Sequence, residues 1–294
     1  MIKSNKMKHI QYDTNTKSLS FHRPKTSIEE AENIIYSKLS SVDITDVMRF
    51  VNDRCNFLSA FNPIQTRYTK SNADESSLLA VIISQAMNHG NLKLGKISDI
   101  PYQQLLDVYY KYFRKATLQE ANKIISNEMR ELSIFPYYSF DLTTLYGSVD
   151  GQKLGVKHPT IKARHSKKYF GKGRGMVSYG MLVNHNYVIG DTIGANEHES
   201  YFVFDIHYNN ITDIVPDAIT GDMHSINKAN FAILHWFKVY FRPRFTNLET
   251  QLKHLYCGDE PENYHDYYIK PVGQIDKKLI VEEWPKTDYF NTCK

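Results

Sequence analysis

The sequence is poor in cysteine and has no long apolar segment. Its three cysteines, Cys55, Cys257 and Cys293, are far apart, so they form neither a Cys-x-x-Cys zinc pair nor an even disulfide set. No apolar run approaches the roughly 20 residues that span a bilayer, and the amino terminus lacks the apolar stretch of a signal peptide. We therefore expect free thiols, no membrane partner and a cytoplasmic location.

The 294 residues, 41% of them apolar, can bury the core of one large domain or two smaller ones. In the first part of the chain, apolar residues recur at helical spacing in two stripes. The stripes are Leu78, Leu79, Ile82, Ile83 and Met87, and Leu105, Leu106, Tyr109, Tyr110 and Phe113. Residues 1–136 are therefore predicted to form a helical region, and they contain no recognisable catalytic constellation.

The apolar periodicity changes after residue 136. Val177, Tyr179 and Met181 alternate with other residues, as in a half-buried strand. The other predicted strands are 189–193, 145–149 running into Asp150, and 218–222. Residues 137–294 are therefore predicted to form a mixed α/β region, a sheet with flanking helices, in which Asp150 and Asp222 lie at the ends of two adjacent strands.

Asp150 and Asp222 are the candidates for catalysis and metal binding. They are separated by 222 − 150 = 72 residues, which leaves room for two further strands and a helix. Magnesium prefers hard oxygen ligands, and two ions roughly 4 Å apart can position and neutralise a phosphoryl transfer. The alternative for each aspartate is an ordinary structural role in a turn. His224, two residues after Asp222, either supports such a site, contacts DNA or is only a loop residue.

The segment 151–175 is rich in basic residues and contains no acidic one. Its local charge is what phosphate contacts require, although an ordinary solvated loop would have the same composition. The candidate DNA contacts are Lys153, Lys157, Arg164, His165, Lys167, Lys168, Lys172 and Arg174. The glycines Gly171, Gly173 and Gly175 mimic a phosphate-binding loop only weakly, because a strand rather than a helix is expected to follow them.

A second segment, Glu197, His198 and Glu199, has the residue types of a metal site. Acidic residues are also favoured in the first turn of a helix by the helix dipole. We interpret the segment as such a helix start.

Four segments resemble, in the correct order, the transposases of the Tn-three family of class II replicative transposons. They are 148–153 (SVDGQK), 163–171 (ARHSKKYFG), 194–200 (GANEHES) and 222–227 (DMHSIN). The resemblance covers essentially the whole chain and is strongest from Tyr146 to Tyr240. Several long segments in register are far more specific than any short motif.

The resemblance implies an RNase H-like catalytic core, in which Asp150 and Asp222 match the first two acids of an Asp-Asp-Glu triad that holds two Mg²⁺ ions. It also implies a reaction. Metal-activated water cuts a strand at each transposon end, and the freed 3′ hydroxyl then attacks target DNA. The implied partners are transposon-end DNA and target DNA, with a second copy of the chain or an intact transposase.

The glutamate of the triad has no match in this sequence, because the family carries it on a helix far downstream of the second aspartate. Family members are also longer at the amino end, and Pro285 is expected to stop the helix begun at Leu279. We therefore expect a chain truncated at both ends, with an incomplete RNase H-like core that is inactive alone. The alternatives are a catalytically inactive remnant that binds DNA or an intact transposase, and an unrelated metal nuclease of the same fold.

Overall fold

The computed structural model describes residues 10–13, 15–16, 18–21, 38, 40–65, 73–139, 141–158 and 160–292. The chain divides into two compact units, one formed by residues 40–244 and the other by residues 1–39 together with 245–294. The larger unit contains both a helical part and a sheet. The boundary predicted at residue 136 falls inside this unit, and the predicted division into domains stays a prediction.

Five consecutive helices fill residues 44–130 of the described chain, and strands and helices are interspersed after residue 145. The helices are α1 (Ile44–Cys55), α2 (Glu75–Ala86), α3 (Gly90–Ile97), α4 (Tyr102–Tyr112), α5 (Lys115–Arg130), α6 (Lys167–Phe170), α7 (Val203–Tyr208), α8 (Lys228–Trp236), α9 (Leu248–Leu252) and α10 (Lys277–Thr292). The strands are β1 (Ile10–Asp13), β2 (Ser18–Phe21), β3 (Tyr146–Val156), β4 (Arg164–His165), β5 (Arg174–Val183), β6 (Asn186–Gly194), β7 (Ala218–Gly221), β8 (Tyr240–Phe241), β9 (Tyr256–Cys257) and β10 (Gly273–Gln274). Short 3₁₀ helices cover Phe57–Ala60, Phe135–Tyr138, Glu199–Phe202, Met223–Ser225 and Pro261–Tyr264. None of these described helices is both long and apolar enough to cross a membrane.

The first part of the larger unit is helical, as predicted. The two apolar stripes lie in α2 and α4 and in the residues that cap them. α2 begins after Asp74, whose carboxylate accepts a hydrogen bond from Ser77 N at 2.9 Å and so satisfies a free backbone donor of the first turn. Most residues of both stripes pack in one hydrophobic core, whereas Met87 and Tyr110 are exposed.

The second part of the larger unit is a mixed sheet of six strands among the described residues. β5 pairs antiparallel with β3 along one edge, and with β6 and the short β4 along the other. On its remaining edge β3 pairs parallel with β7, which in turn pairs parallel with β8. The expected mixed α/β class, a mixed sheet with flanking helices, is therefore confirmed.

One face of the sheet is buried against α7 and α8. Val149 and Met181 on this face belong to the same core cluster as Leu234 of α8. Since side chains alternate along a strand, the residues between them face the opposite side. Asp150 and its cross-strand partner Gly180 therefore lie on the other face of the sheet.

β3 is longer than predicted. The sequence places Asp150 at its end, but the strand continues to Val156. β5 pairs with it from Gly147 to Val156, and this ladder satisfies the backbone groups beyond Asp150. On the other edge, the ladder with β7 ends at Val149. Asp222 directly follows a strand end, as predicted, whereas Asp150 lies inside β3 at the point where β7 leaves it.

α5 lies along β6, an edge strand of the described sheet. Asn122 Nδ2 donates to the backbone oxygens of Tyr187 and Val188, each at 3.0 Å. Ser126 Oγ donates to Asn186 Oδ1 at 3.3 Å. These hydrogen bonds join the helical part of the larger unit to its sheet.

Among its described residues, the smaller unit contains two short sheets. β1 pairs antiparallel with β2, and β9 pairs parallel with β10. The expectation of a helical region over residues 1–136 is therefore wrong for residues 10–13 and 18–21, which form strands that satisfy each other's backbone groups. The prediction for α10 is wrong, because the helix does not stop at Pro285 but continues to Thr292. A proline removes one helical hydrogen bond. An exposed ion pair flanks the proline, with Lys286 Nζ 2.8 Å from Glu283 Oε2.

Candidate functional site

Asp150 and Asp222 are carried by neighbouring parallel strands. The residues that precede them, Val149 in β3 and Gly221 in β7, are register partners. At that point the two backbones are one strand spacing apart, about 4.8 Å. The predicted adjacency of the two strands is therefore confirmed, while metal binding by the aspartates stays a prediction.

Each of the two carboxylates is fixed by backbone close to it in sequence. Gly151 N donates to Asp150 Oδ1, and His224 N donates to Asp222 Oδ1, both at 2.8 Å. The second of these bonds caps the 3₁₀ helix that follows β7. Within the described part of the chain, no hydrogen bond engages the other oxygen of either carboxylate. These open oxygens are hard donors of the kind that Mg²⁺ binds.

The donor set fits a partial metal site. Among the described residues, no group of three or more His, Cys, Asp or Glu side chains could hold an ion. Asp150 and Asp222 therefore supply two carboxylates at most, and Mg²⁺ bound there would keep several waters, as it commonly does in proteins.

A buried ion pair lies beside Asp150. Lys153 Nζ is 2.7 Å from Glu199 Oε1, and the Glu199 side chain is 6% exposed, against 23% for that of Lys153. Burial alone lowers the pKa of Lys153, but the hydrogen bond and the charge of Glu199 outweigh it and raise the pKa above its ordinary value. The Tyr169 ring covers the ammonium, with its centroid 4.6 Å from Nζ. Lys153, predicted as a DNA contact, is thus engaged inside the protein.

Glu199 packs directly on the strand segment that contains Asp150. A Cβ atom at Gly151 would lie 2.7 Å from Glu199 Cδ and 2.8 Å from Val177 Cγ1, closer than real Cβ atoms approach. Glycine is therefore the residue that fits next to Asp150. Glu199 opens the 3₁₀ helix that leads into α7, so its predicted place at a helix start is confirmed. Its ion pair with Lys153 was not predicted.

Two buried hydroxyl groups lie near the three carboxylates. Tyr179 and Ser225 are fully buried, and neither hydroxyl has a hydrogen-bond partner of acceptable geometry among the described residues. Burial raises the pKa of Tyr179, and the nearby Ser225 hydroxyl lowers it. The charges of Glu199, Asp222 and Asp150 raise it further. All three carboxylates therefore act on one buried phenol.

Two exposed histidines flank Asp222. The ring centroids of His198 and His224 are 6.2 Å apart. His198 Nδ1 accepts a hydrogen bond from Ser200 N at 3.3 Å, so the neutral imidazole carries its proton on Nε2. The structure thus brings His224 to the candidate metal site together with His198, whose segment the sequence indicates as a helix start rather than as a metal site. What either ring contacts in a complex stays a prediction.

The other seven predicted DNA-contact residues are exposed, and none forms an ion pair within the described part of the chain. They are Lys157, Arg164, His165, Lys167, Lys168, Lys172 and Arg174. Arg174 is opposite Val156 in the ladder, 156 − 150 = 6 residues beyond Asp150, or roughly 20 Å along the strand. Phe170 of α6 packs on Gly175, where a Cβ would overlap its ring. This packing holds the lysines of α6 against β3 and β5.

Comparison with known proteins identifies relatives of the chain. Residues 46–287 match the family model described as the Tn3 transposase DDE domain. The chain is 23% identical over 260 residues to the transposase for transposon Tn4556 of Streptomyces fradiae, covering 88% of this chain and 29% of that protein. It is 24% identical over 228 residues to the transposase for transposon gamma-delta of Escherichia coli (strain K12), covering 75% of this chain and 22% of that protein. The chain thus spans less than a third of the length of either relative.

Solved structures show only a distant likeness. The Mos1 strand transfer complex has a TM-score of 0.25 and 8% identity, covering 91% of this chain and 86% of that chain. The Mos1 transposase paired-end complex with the left transposon end has a TM-score of 0.24 and 10% identity, covering 92% and 87%. TM-scores this low do not support a conclusion about the fold of this chain. The family match, in contrast, covers most of the chain and includes both aspartates and the basic segment, and the chain therefore belongs to the Tn3 transposase DDE domain family.

Proposed function

We propose that this chain is the part of a DNA transposase that carries the first two carboxylates of the catalytic triad. The observation that supports this most is the geometry of Asp150 and Asp222, on neighbouring parallel strands with one oxygen of each fixed and the other open. The proposed reaction is DNA transposition, in which a strand is cut at each transposon end and its 3′ hydroxyl is joined to target DNA. The two relatives named as transposases support this assignment.

Divalent metal supplies the charge neutralisation that phosphoryl transfer needs, and Mg²⁺ is the ion that carboxylate donors favour. We expect two such ions in the complete enzyme, held in part by the open oxygens of Asp150 and Asp222. Because Gly151 N and His224 N already fix the other oxygens, neither carboxylate has to reorient to bind. The His224 ring is proposed to contact DNA or to support the site from beside it.

The exposed basic residues between 157 and 174 are proposed to bind the DNA that flanks the cut site. Arg174 is roughly 20 Å from Asp150 along the strand, which corresponds to about six base pairs of duplex. Contacts of this kind go to phosphates, so the binding should not depend on sequence. Lys153 is not part of this surface in our proposal, because its ammonium is paired with Glu199.

The proposed partners follow from the reaction. They are transposon-end and target DNA, which puts the protein on DNA in the bacterial cytoplasm. A second copy of the chain or an intact transposase is the proposed protein partner, and of the two only the intact transposase would supply the third carboxylate that the described residues lack.

We expect the chain alone to bind metal and DNA without joining transposon ends. A misplacement of about 1 Å can cost roughly a hundredfold in rate, and two carboxylates leave the second ion weakly held. A site with only two carboxylates also favours the alternative, in which the chain is an inactive remnant that binds DNA. Joining of labelled transposon-end DNA to plasmid DNA by the purified chain, abolished by Asp150→Asn, would contradict both the expectation and the alternative.

The metal site is tested by titrating the purified chain with Mn²⁺, a paramagnetic substitute for Mg²⁺. We expect Asp150→Asn and Asp222→Asn each to lower the affinity for Mn²⁺ at least about tenfold, because each removes one of two carboxylate ligands. Asp205→Asn removes an exposed carboxylate on α7 and is the control, which should leave the affinity unchanged. Equal affinities in all four proteins would refute the proposed site.

A further inference from the structure

Lys153 and Glu199 form the most buried ion pair in the described part of the chain. Both lie against the strand segment of Asp150, Glu199 through its packing on Gly151 and Lys153 as a residue of β3. The pKa of Lys153 is lowered by burial and raised by Glu199 and Tyr169, and the charge of Asp150 raises it as well. The charges of Lys153 and Asp150 therefore interact electrostatically.

The two charges lie on different faces of the sheet. Alternation along β3 puts Lys153 on the same face as Val149 and Gly151, which is the buried face, and Asp150 on the opposite one. The ammonium thus influences Asp150 through its field rather than through a direct contact. Left without a counter-charge, it would lower the attraction of Asp150 and Asp222 for any divalent cation.

We propose that Glu199 is a positioning residue of the metal site, which holds and neutralises the Lys153 ammonium so that Asp150 and Asp222 keep the net negative charge that attracts a divalent ion. This inference rests on the proposed function, since it assumes that the two aspartates bind metal. Glu199 is not itself a ligand in this arrangement, because its Oε1 is taken by Lys153 and its side chain is on the buried face. The Tyr169 ring closes the other side of the ammonium.

If the ion pair acts through its charges, its removal changes metal affinity with a different pattern of signs than if the pair only stabilises the fold. If the pair only stabilised the fold, removing either partner would weaken metal binding in the same direction, because each removal leaves one buried charge unpaired. If the pair acts through charge, Glu199→Gln leaves an extra positive charge near the aspartates and Lys153→Met leaves an extra negative one. Metal affinity should then fall in the first variant and rise in the second.

The experiment is an Mn²⁺ titration of the full 294-residue chain, with free Mn²⁺ followed by electron paramagnetic resonance. We expect Glu199→Gln to lower the affinity about three- to tenfold and Lys153→Met to raise it by a similar factor. The double variant should bind Mn²⁺ within about twofold of the wild type, because its net charge near the aspartates is the same. Neutral side chains that replace a buried ion pair also often preserve the stability of the fold. Urea unfolding checks that each variant is folded, and Lys153→Gln replaces Lys153→Met if the methionine variant does not fold, because the two roles predict opposite signs only at Lys153.

A matched control pair is present on α5. Lys123 and Glu120 form an ion pair at 3.0 Å that is partly exposed and belongs to the helical part. Lys123→Met and Glu120→Gln should leave Mn²⁺ affinity unchanged. The inference is overturned if Glu199→Gln and Lys153→Met shift the affinity in the same direction, or if the control pair shifts it equally. A wild type that binds Mn²⁺ no better than Asp150→Asn identifies the other failure, in which the metal site itself is absent and the inference falls with it.

Discussion

Replacing Gly151 by alanine tests the close packing between β3 and Glu199. The backbone of Gly151 is extended, so an alanine can adopt its conformation. The new Cβ, however, would lie 2.7 Å from Glu199 Cδ and 2.8 Å from Val177 Cγ1. Overpacking of this kind costs about 1 to 3 kcal/mol of unfolding free energy. The variant should therefore be less stable than the wild type by that amount.

Gly155, on the same strand, provides the matched control. A Cβ at Gly155 would meet the Phe170 ring at 3.7 Å, which is ordinary van der Waals contact. Alanine there should stabilise the protein by about 0.4 to 1 kcal/mol, because it restricts the unfolded chain. The two alanine variants should thus differ in unfolding free energy by about 1.4 to 4 kcal/mol.

Urea unfolding followed by tryptophan fluorescence measures this difference. Of the two tryptophans, Trp236 belongs to the larger unit and Trp284 to the smaller one. A Trp284→Phe background makes Trp236 the reporter of the unit that contains β3. The midpoints should shift at an unchanged m-value. Equal unfolding free energies for Gly151→Ala and Gly155→Ala would mean that Glu199 does not pack on Gly151.

The remaining predictions concern DNA binding and pH. Replacing Lys167 and Lys168 together by alanine should reduce the salt slope of binding to any DNA by about 0.9 per lost phosphate contact, and an unchanged slope would count against a DNA-facing α6. The control is the same double replacement at the exposed Lys93 and Lys96 of α3, which should keep the wild-type slope. Burial lowers the pKa of His207 below its usual value of 6.5. As the pH falls, the unfolded chain therefore binds a proton on this histidine before the folded chain does. Stability should therefore fall as the pH drops from about 7 through 6.5. His207→Leu should flatten that fall in urea unfolding, and an identical pH profile would exclude His207 as its source.

The pairing of the strands that carry the two aspartates was predictable from sequence. Alternating apolar residues such as Tyr179 and Met181 identify strands locally, and the family resemblance supplies the order of the segments around Asp150 and Asp222. The extent of β3 was not predictable, because β5 decides it: ladder partners beyond Asp150 keep the strand going to Val156. Local patterns contain no information about where a partner strand ends.

The ion pair of Lys153 and Glu199 was missed for a different reason. The two residues are 46 positions apart, and no motif links them. In charge, Lys153 is indistinguishable from the exposed lysines of the same segment. The available signal was its position on β3, two residues after Gly151 and four after Val149, which puts it on the buried face. A lysine on a buried face requires a carboxylate partner, and this argument alone would have separated it from the DNA-contact set.

The hydrogen bonds between α5 and β6 determine how the sheet meets other molecules. An uncovered strand edge offers a row of backbone groups that can template the addition of strands from neighbouring chains. Here the Asn122 amide occupies the carbonyls of Tyr187 and Val188, and Lys115 places a charge beside the edge by pairing with Asp191 at 2.7 Å. The helical part therefore protects the β6 edge against aggregation. A protein cut at residue 136 would lose this protection, and its exposed edge would recruit further copies into intermolecular sheets instead of leaving a free-standing sheet region.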